Sequence, residues 1–142
     1  MQPPSQRFAA DILEATRRHL AELVAANTEI TLALVTSADG FEIAAQPDLP
    51  VAQRISAMSS SLQALSEAIA REAGLSHSRN LIIETDNGTI VVLGIPDTSP
   101  RLSLAVVASG NEILGRLLWA TRGCCAALGR SYAGLINHFA IT

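Results

Sequence analysis

Residues 30–47, Ile-Thr-Leu-Ala-Leu-Val-Thr-Ser-Ala-Asp-Gly-Phe-Glu-Ile-Ala-Ala-Gln-Pro, decide how this chain folds. Two apolar runs flank Asp39-Gly40, and Asp-Gly between such runs is a strong short-range hairpin signal. In the first run Ile30, Leu32 and Leu34 point one way while Ala33 and Val35 point the other, so both faces are apolar. A strand buried on both sides needs a layer above it and a layer below it. The stretch therefore predicts a sheet held between helices.

Working outward, three further strands are expected. Leu81 to Thr85 and Thr89 to Ile95 flank a turn at Asp86-Asn87-Gly88, and Leu102 to Ala108 follows a loop bracketed by Pro96 and Pro100. Val91/Leu93/Ile95 and Ile90/Val92 make the run 89–95 apolar on both faces, as do Leu102/Leu104/Val106 and Ala105/Val107 for 102–108. Those two runs read as central strands. The pairs Phe41/Ile43 and Glu42/Ala44, and Leu81/Ile83 and Ile82/Glu84, are mixed and read as edges. Short connections pair consecutive strands. Numbered in chain order, only 2-1-5-4-3 leaves the second and third strands outermost. The expected class is α/β (α+β): a three-layer fold with a five-stranded, mostly antiparallel sheet, one helix on one face and two on the other.

The helices follow from periodicity. Residues 5–26 form the first, with Ser5 as N-cap, Ile12, Leu13, Leu20, Leu23 and Val24 at helical spacing, and Asn27 as a left-handed terminator. Pro50 opens the second and Gly74 closes it, with Leu75 placed for the apolar contact of a Schellman motif. Val51, Ile55, Met58, Leu62, Leu65 and Ile69 form one continuous stripe. Burial of that stripe against the sheet would contribute on the order of 10 kcal/mol before entropy. Beside it runs a lane of small residues, Ala57, Ser61, Ala64 and Ala68. Two readings stay open for the lane: close approach of another helix, or an ordinary solvent face. Ser109-Gly110-Asn111-Glu112 has capping-box spacing and is expected to open the last helix. Its buried face would comprise Ile113, Leu114, Leu117, Leu118, Thr121, Cys125 and Leu128, with Gly115 and Gly123 allowing close packing on the sheet. Tyr132, Leu135, Ile136 and Phe139 resume the period after Gly129. This divides the chain into a domain over 1–128 and an extension over 129–142 that could form a short helix.

Composition removes several function classes. The 142 residues are 49% hydrophobic and 16% charged, an ordered single-domain balance. The net charge of −3 lacks the basic excess of a nucleic-acid partner. No apolar run reaches the ~20 residues of a membrane span, and Met-Gln-Pro-Pro-Ser-Gln-Arg lacks the order of a signal peptide. The chain is expected to be cytoplasmic. Cys124 and Cys125 are adjacent, which disfavours a bridge, and sit among leucines as small buried thiols.

Candidate chemistry is sparse, so no cofactor, metal or catalytic residue is assigned and an enzyme is not expected. His19, His77 and His138 are dispersed without clustered carboxylates. Gly110-x-x-x-x-Gly115-Arg116 lacks the lysine and Ser/Thr of a phosphate loop. Arg54, Arg71, Arg79 and Arg101 could each serve as an arginine finger, but a solubilising surface role is the far commoner one for any single arginine.

The order helix, hairpin, helix, three-stranded meander, helix resembles the Roadblock family, the dynein-light-chain type of small-GTPase regulator. Leu34-Val35-Thr36-Ser37-Ala38-Asp39-Gly40-Phe41-Glu42-Ile43-Ala44 and Asn80-Leu81-Ile82-Ile83-Glu84 carry the resemblance, over roughly residues 8–128. Longin and profilin-like domains share related layouts. The resemblance implies a homodimer in which the third strands join two sheets and the second helices lie side by side. Its contact would use Ala57, Ser61, Ala64, Leu65 and Ala68 with Leu81, Ile82, Ile83 and Glu84. It further implies a small Ras-like GTPase as partner, met by Gln53, Arg54 and Ser60. The rival expectations are a small-molecule sensor with a pocket between sheet and helix, opposed by the scarcity of converging polar groups, and an enzyme using Cys124 or Cys125.

Overall fold

The structure, a computed structural model, describes residues 4–99, 101–110 and 113–141. The elements in chain order are α1 (Pro4–Ala26), β1 (Ile30–Ser37), β2 (Glu42–Gln46), α2 (Val51–Glu72), β3 (Asn80–Thr85), β4 (Gly88–Gly94), β5 (Leu102–Ser109) and α3 (Leu114–Ile141). The strands form one sheet of order β2-β1-β5-β4-β3, and every neighbouring pair is antiparallel. This is the expected order, with β2 and β3 at the edges.

The two faces carry separate cores. On one, α1 and α3 pack Leu20, Leu23, Leu117, Cys125, Leu128 and Tyr132 against Ala33, Val35, Val91, Leu93, Leu104 and Val106. On the other, α2 covers Leu32, Leu34, Ala45, Val92 and Ala105. From Leu32 onward alternate residues of β1 serve opposite cores, as the two-faced apolar pattern requires. Ile30, expected on the face of Leu32 and Leu34, instead joins Ala33 and Val35 in the α1/α3 core, because the pairing with β5 shifts register between Ile30 and Leu32. At the hairpin, Val35 pairs with Ala44 and Thr36 with Glu42, so Ile43 is the extra residue of a bulge.

Helix ends depart from the sequence expectations in three places. Ser5 lies inside α1, which begins at Pro4. Asn27 is not left-handed; its side-chain Nδ2 donates to the Leu23 carbonyl at 2.9 Å and closes α1 by that route. The expected capping box does not open α3. Ser109 is the last residue of β5, its N–H donates to the Glu29 carbonyl at 2.9 Å, and the helix starts only at Leu114. Asn111 and Glu112 lie outside the described residues. Ile113, expected in the buried face, is 64% exposed. At the end of α2, by contrast, the Schellman bonds form as the sequence implies: Leu75 N–H donates to Ala70 and Gly74 N–H to Arg71, with Gly74 at φ +74°. The expected apolar contact of Leu75 is weak, since that side chain is 69% exposed.

The larger correction concerns the orientation of α2. The side chains that meet the sheet are Ala52, Ser56 and Ser59, one position along from the expected stripe. One residue is ~100° of helix rotation. Val51 and Ile55 still reach the core from its margin, but Met58 is 65%, Leu65 57% and Ile69 62% exposed. The physical reason lies in the sheet: Leu32, Leu34 and Ala45 already fill this layer, so only a line of small residues lets α2 sit down on them. The burial energy expected from the stripe is therefore not realised within this chain.

Gly129 does not interrupt α3, which is one helix from Leu114 to Ile141. Gly129 instead lets that helix approach the loop after β4, since an added Cβ would lie 3.2 Å from the Pro96 carbonyl oxygen. Beyond it, Tyr132 is buried against α1. The Thr16 hydroxyl donates to the Ile12 carbonyl at 2.7 Å, so the Tyr132 hydroxyl is the donor in its bond to Thr16 Oγ1. His19 Nε2 and Ser131 Oγ, 2.8 Å apart, tie the same helices together. No helix among the described residues is long and apolar enough to cross a membrane.

Candidate protein interaction site

The β1–β2 hairpin is braced at its tip. Ser37 N–H donates to the Phe41 carbonyl at 2.9 Å, Gly40 N–H donates to the Ser37 carbonyl at 3.0 Å, and Phe41 N–H donates to Ser37 Oγ at 3.1 Å. Gly40 has φ +88°, and a Cβ there would stand 3.2 Å from the Ala57 Cα, so the turn rests directly on α2. Ser60 Oγ donates to the Ser37 carbonyl at 2.8 Å and locks the two together. The product is a rigid turn that presents Phe41, 72% exposed, beside the first half of α2. Ser60, expected to meet a partner, is half-buried and occupied in this brace. Gln53 and Arg54, the other two residues expected there, are exposed.

Along α2 the outward surface combines both lines read from the sequence. Ala57, Ser61 and Ala64 are exposed and Ala68 is half-buried, and they run beside Met58, Leu65 and Ile69. Small and large apolar residues thus share one uncovered helix face. Next to it, β3 ends the sheet, with only β4 as neighbour. Leu81 leans into the α2 core and Ile83 is half-buried, whereas Ile82 and Glu84 are exposed. An edge strand leaves a row of backbone N–H and C=O groups open to pairing.

Between α2 and strands β3–β5 lies a gap of about 180 Å³. Polar groups do converge on it, contrary to the sequence expectation, because the underside of α2 here is polar. They satisfy one another: Ser103 Oγ donates to Gln63 Oε1 at 2.7 Å, Ser66 and Ser78 hydroxyls are 2.7 Å apart, and Glu67 pairs with Arg101 at 3.5 Å and His77 at 3.4 Å. With these groups already paired to one another, the gap suits ordered water better than a specific ligand.

The thiols are placed for packing. Burial pushes Cys124 up to about 12, with the neighbouring Cys125 adding to the effect, and pushes Cys125 up to about 11. Both remain thiols at neutral pH, and a thiol is a poor nucleophile. Arg101 is engaged by Glu67, while Arg54, Arg71 and Arg79 are exposed at the surface.

Residues 13–110 match the family model of the Roadblock/LC7 domain. The chain belongs to the Roadblock/LC7 family. Solved structures agree on the fold. The gliding protein MglB from Thermus thermophilus superimposes with TM-score 0.75 at 17% identity, covering 87% of this chain and 92% of that one. Myxococcus xanthus MglB gives 0.71 at 13% identity, covering 95% of each chain. A Roadblock/LC7 domain from Streptomyces avermitilis gives 0.61 at 22% identity, covering 88% of this chain and 97% of that one. No curated protein matches by sequence. In this Roadblock chain, sequence reasoning missed the outward turn of the α2 stripe and the exposure of Phe41. The signal for the first was present: the line Ala52-Ser56-Ser59 is small enough to pack on a filled sheet.

Proposed function

We propose that this Roadblock/LC7 chain is a cytoplasmic, homodimeric, non-enzymatic regulator or scaffold for a small Ras-like GTPase. The observation that carries the reading is the uncovered apolar face of α2, Met58, Leu65 and Ile69, lying next to an open sheet edge at β3. Water penalises such a face on a lone chain. A second copy relieves both exposures at once: β3 pairs with its counterpart, and the two α2 helices meet through the lane Ala57, Ser61, Ala64, Ala68. Small residues there let the helices approach closely. Leu81, Ile82, Ile83 and Glu84 supply the strand contact.

Pairing creates a broad platform, and the GTPase docks on it. Gln53 and Arg54 with the braced Phe41 form its rim. A rigid exposed aromatic beside an arginine has the make-up of an interface anchor. Any gain in GTP hydrolysis comes from repositioning the GTPase's own groups. The test is binding of the small Ras-like GTPases of the same organism, loaded with GTP or GDP. The expected result is nucleotide-dependent binding that Phe41→Ala weakens. Equal or absent binding in both states contradicts the reading. Arg54→Ala is expected to weaken binding without lowering hydrolysis at saturation; loss of ~1,000-fold or more would instead make Arg54 an arginine finger.

A further inference from the structure

Trp119 is the single tryptophan of the chain and is 80% exposed. It stands on the side of α3 away from the sheet, whereas Leu117, Thr121, Cys125 and Leu128 turn inward. Four residues before and after it are Gly115 and Gly123, and a Cβ built on either meets nothing within 4 Å. These glycines were expected to sit against the sheet; they lie on the outer surface instead and leave the indole bare along the helix. Arg116 and Arg122, both exposed, stand one turn to either side. The Asn80 amide, oriented so that its nitrogen donates to the Arg79 carbonyl, accepts from Arg122 Nη2 at 3.1 Å, which fixes that guanidinium at the start of β3.

The charge of this helix opposes that of the chain. Residues 114–141 hold three of the 10 basic residues and none of the 13 acidic ones. We propose that the Arg116–Trp119–Arg122 ridge docks an acidic protein surface that offers an apolar pocket to the indole. A lone projecting tryptophan flanked by arginines fits a pocket with a carboxylate rim, the arrangement that concentrates binding energy in few residues. An anionic membrane is the weaker fit. Interfacial helices bury a broad apolar face, and around Trp119 the outward positions are glycine and arginine. The ridge lies on the sheet face opposite α2, so its occupant is separate from a GTPase docked on α2. Although Arg122 reaches Asn80 at the start of β3, the inference does not depend on the second copy.

The test places a photocrosslinking phenylalanine analogue at Gly123, where an added side chain meets nothing within 4 Å and Trp119 is kept, in the full chain and irradiates the cells that normally express it. The expected result is an adduct to a protein other than this chain. That protein, purified, then shifts the emission of Trp119 to the blue on binding, less so at high salt. Trp119→Ala weakens the binding about thirtyfold and Arg122→Glu about tenfold. Three results overturn the proposal: no adduct or an adduct to this same chain, a blue shift with phosphatidylserine vesicles in place of a protein, or a partner that binds Trp119→Ala as tightly as the parent chain.

Discussion

Thr16 and Tyr132 show how much a single hydroxyl can matter at an inter-helix contact. Thr16 Oγ1 accepts from Tyr132 while giving its own proton to the Ile12 carbonyl. Tyr132→Phe therefore removes a donor and leaves Thr16 donating as before, at a cost of ~1 kcal/mol. Thr16→Val strands the buried tyrosine hydroxyl and costs more, about 1–3 kcal/mol. Urea melts of the two variants should rank in that order; the reverse ranking would place the bond elsewhere. His19 sits at the same seam. Burial lowers its pKa below the ordinary 6.5, with Arg18 adding to the effect. The fold thus favours neutral imidazole, and the unfolded chain binds the extra proton first. Stability is full above pH 6.5 and falls as the pH drops through that value toward the lowered folded one. Urea midpoints at pH 7.5 and 5.5 should differ less in His19→Gln than in the parent. Cys124 and Cys125 should resist alkylation at neutral pH until denaturant is added; prompt labelling of the native chain would revive a role for a thiolate.

At the scale of elements, strands were legible and helix orientation was not. Strands 30–37, 89–95 and 102–108 are apolar on both faces and turned out central, because a strand's side chains alternate rigidly and a misplaced one has nowhere to go. A helix can rotate. On α2 the usual rule that large aliphatic residues face inward gave way to the filled layer beneath it, and Met58, Leu65 and Ile69 turned to solvent. The composition of the lane Ala57-Ser61-Ala64-Ala68 left a helix contact and a solvent face equally open, and the exposure of Phe41 was not legible at all, since it depends on the brace to Ala57 and Ser60. At the start of α3 the capping spacing was misleading because β5 runs on through Ser109. Close approach in the sheet makes one further prediction. A Cβ on Gly88 would stand 2.5 Å from the Ala108 carbonyl oxygen, a backbone atom that cannot step aside. Gly88→Ala should therefore cost ~1–3 kcal/mol, read from the shift in denaturation midpoint; an unchanged midpoint would contradict this register between β4 and β5.

Taken whole, the molecule is a three-layer sandwich whose α2 face and β3 edge are left open side by side. The proposed regulator function depends on a second copy covering both. Light scattering on the intact chain and on a Met58→Glu/Leu65→Glu variant tests this most directly. Both substitutions lie on exposed positions, so the variant should keep its fold by circular dichroism. The expected parent mass is twice the 14.9 kDa chain, and the expected variant mass is that of one chain. A monomeric parent, or a variant that still pairs, would contradict the dimer.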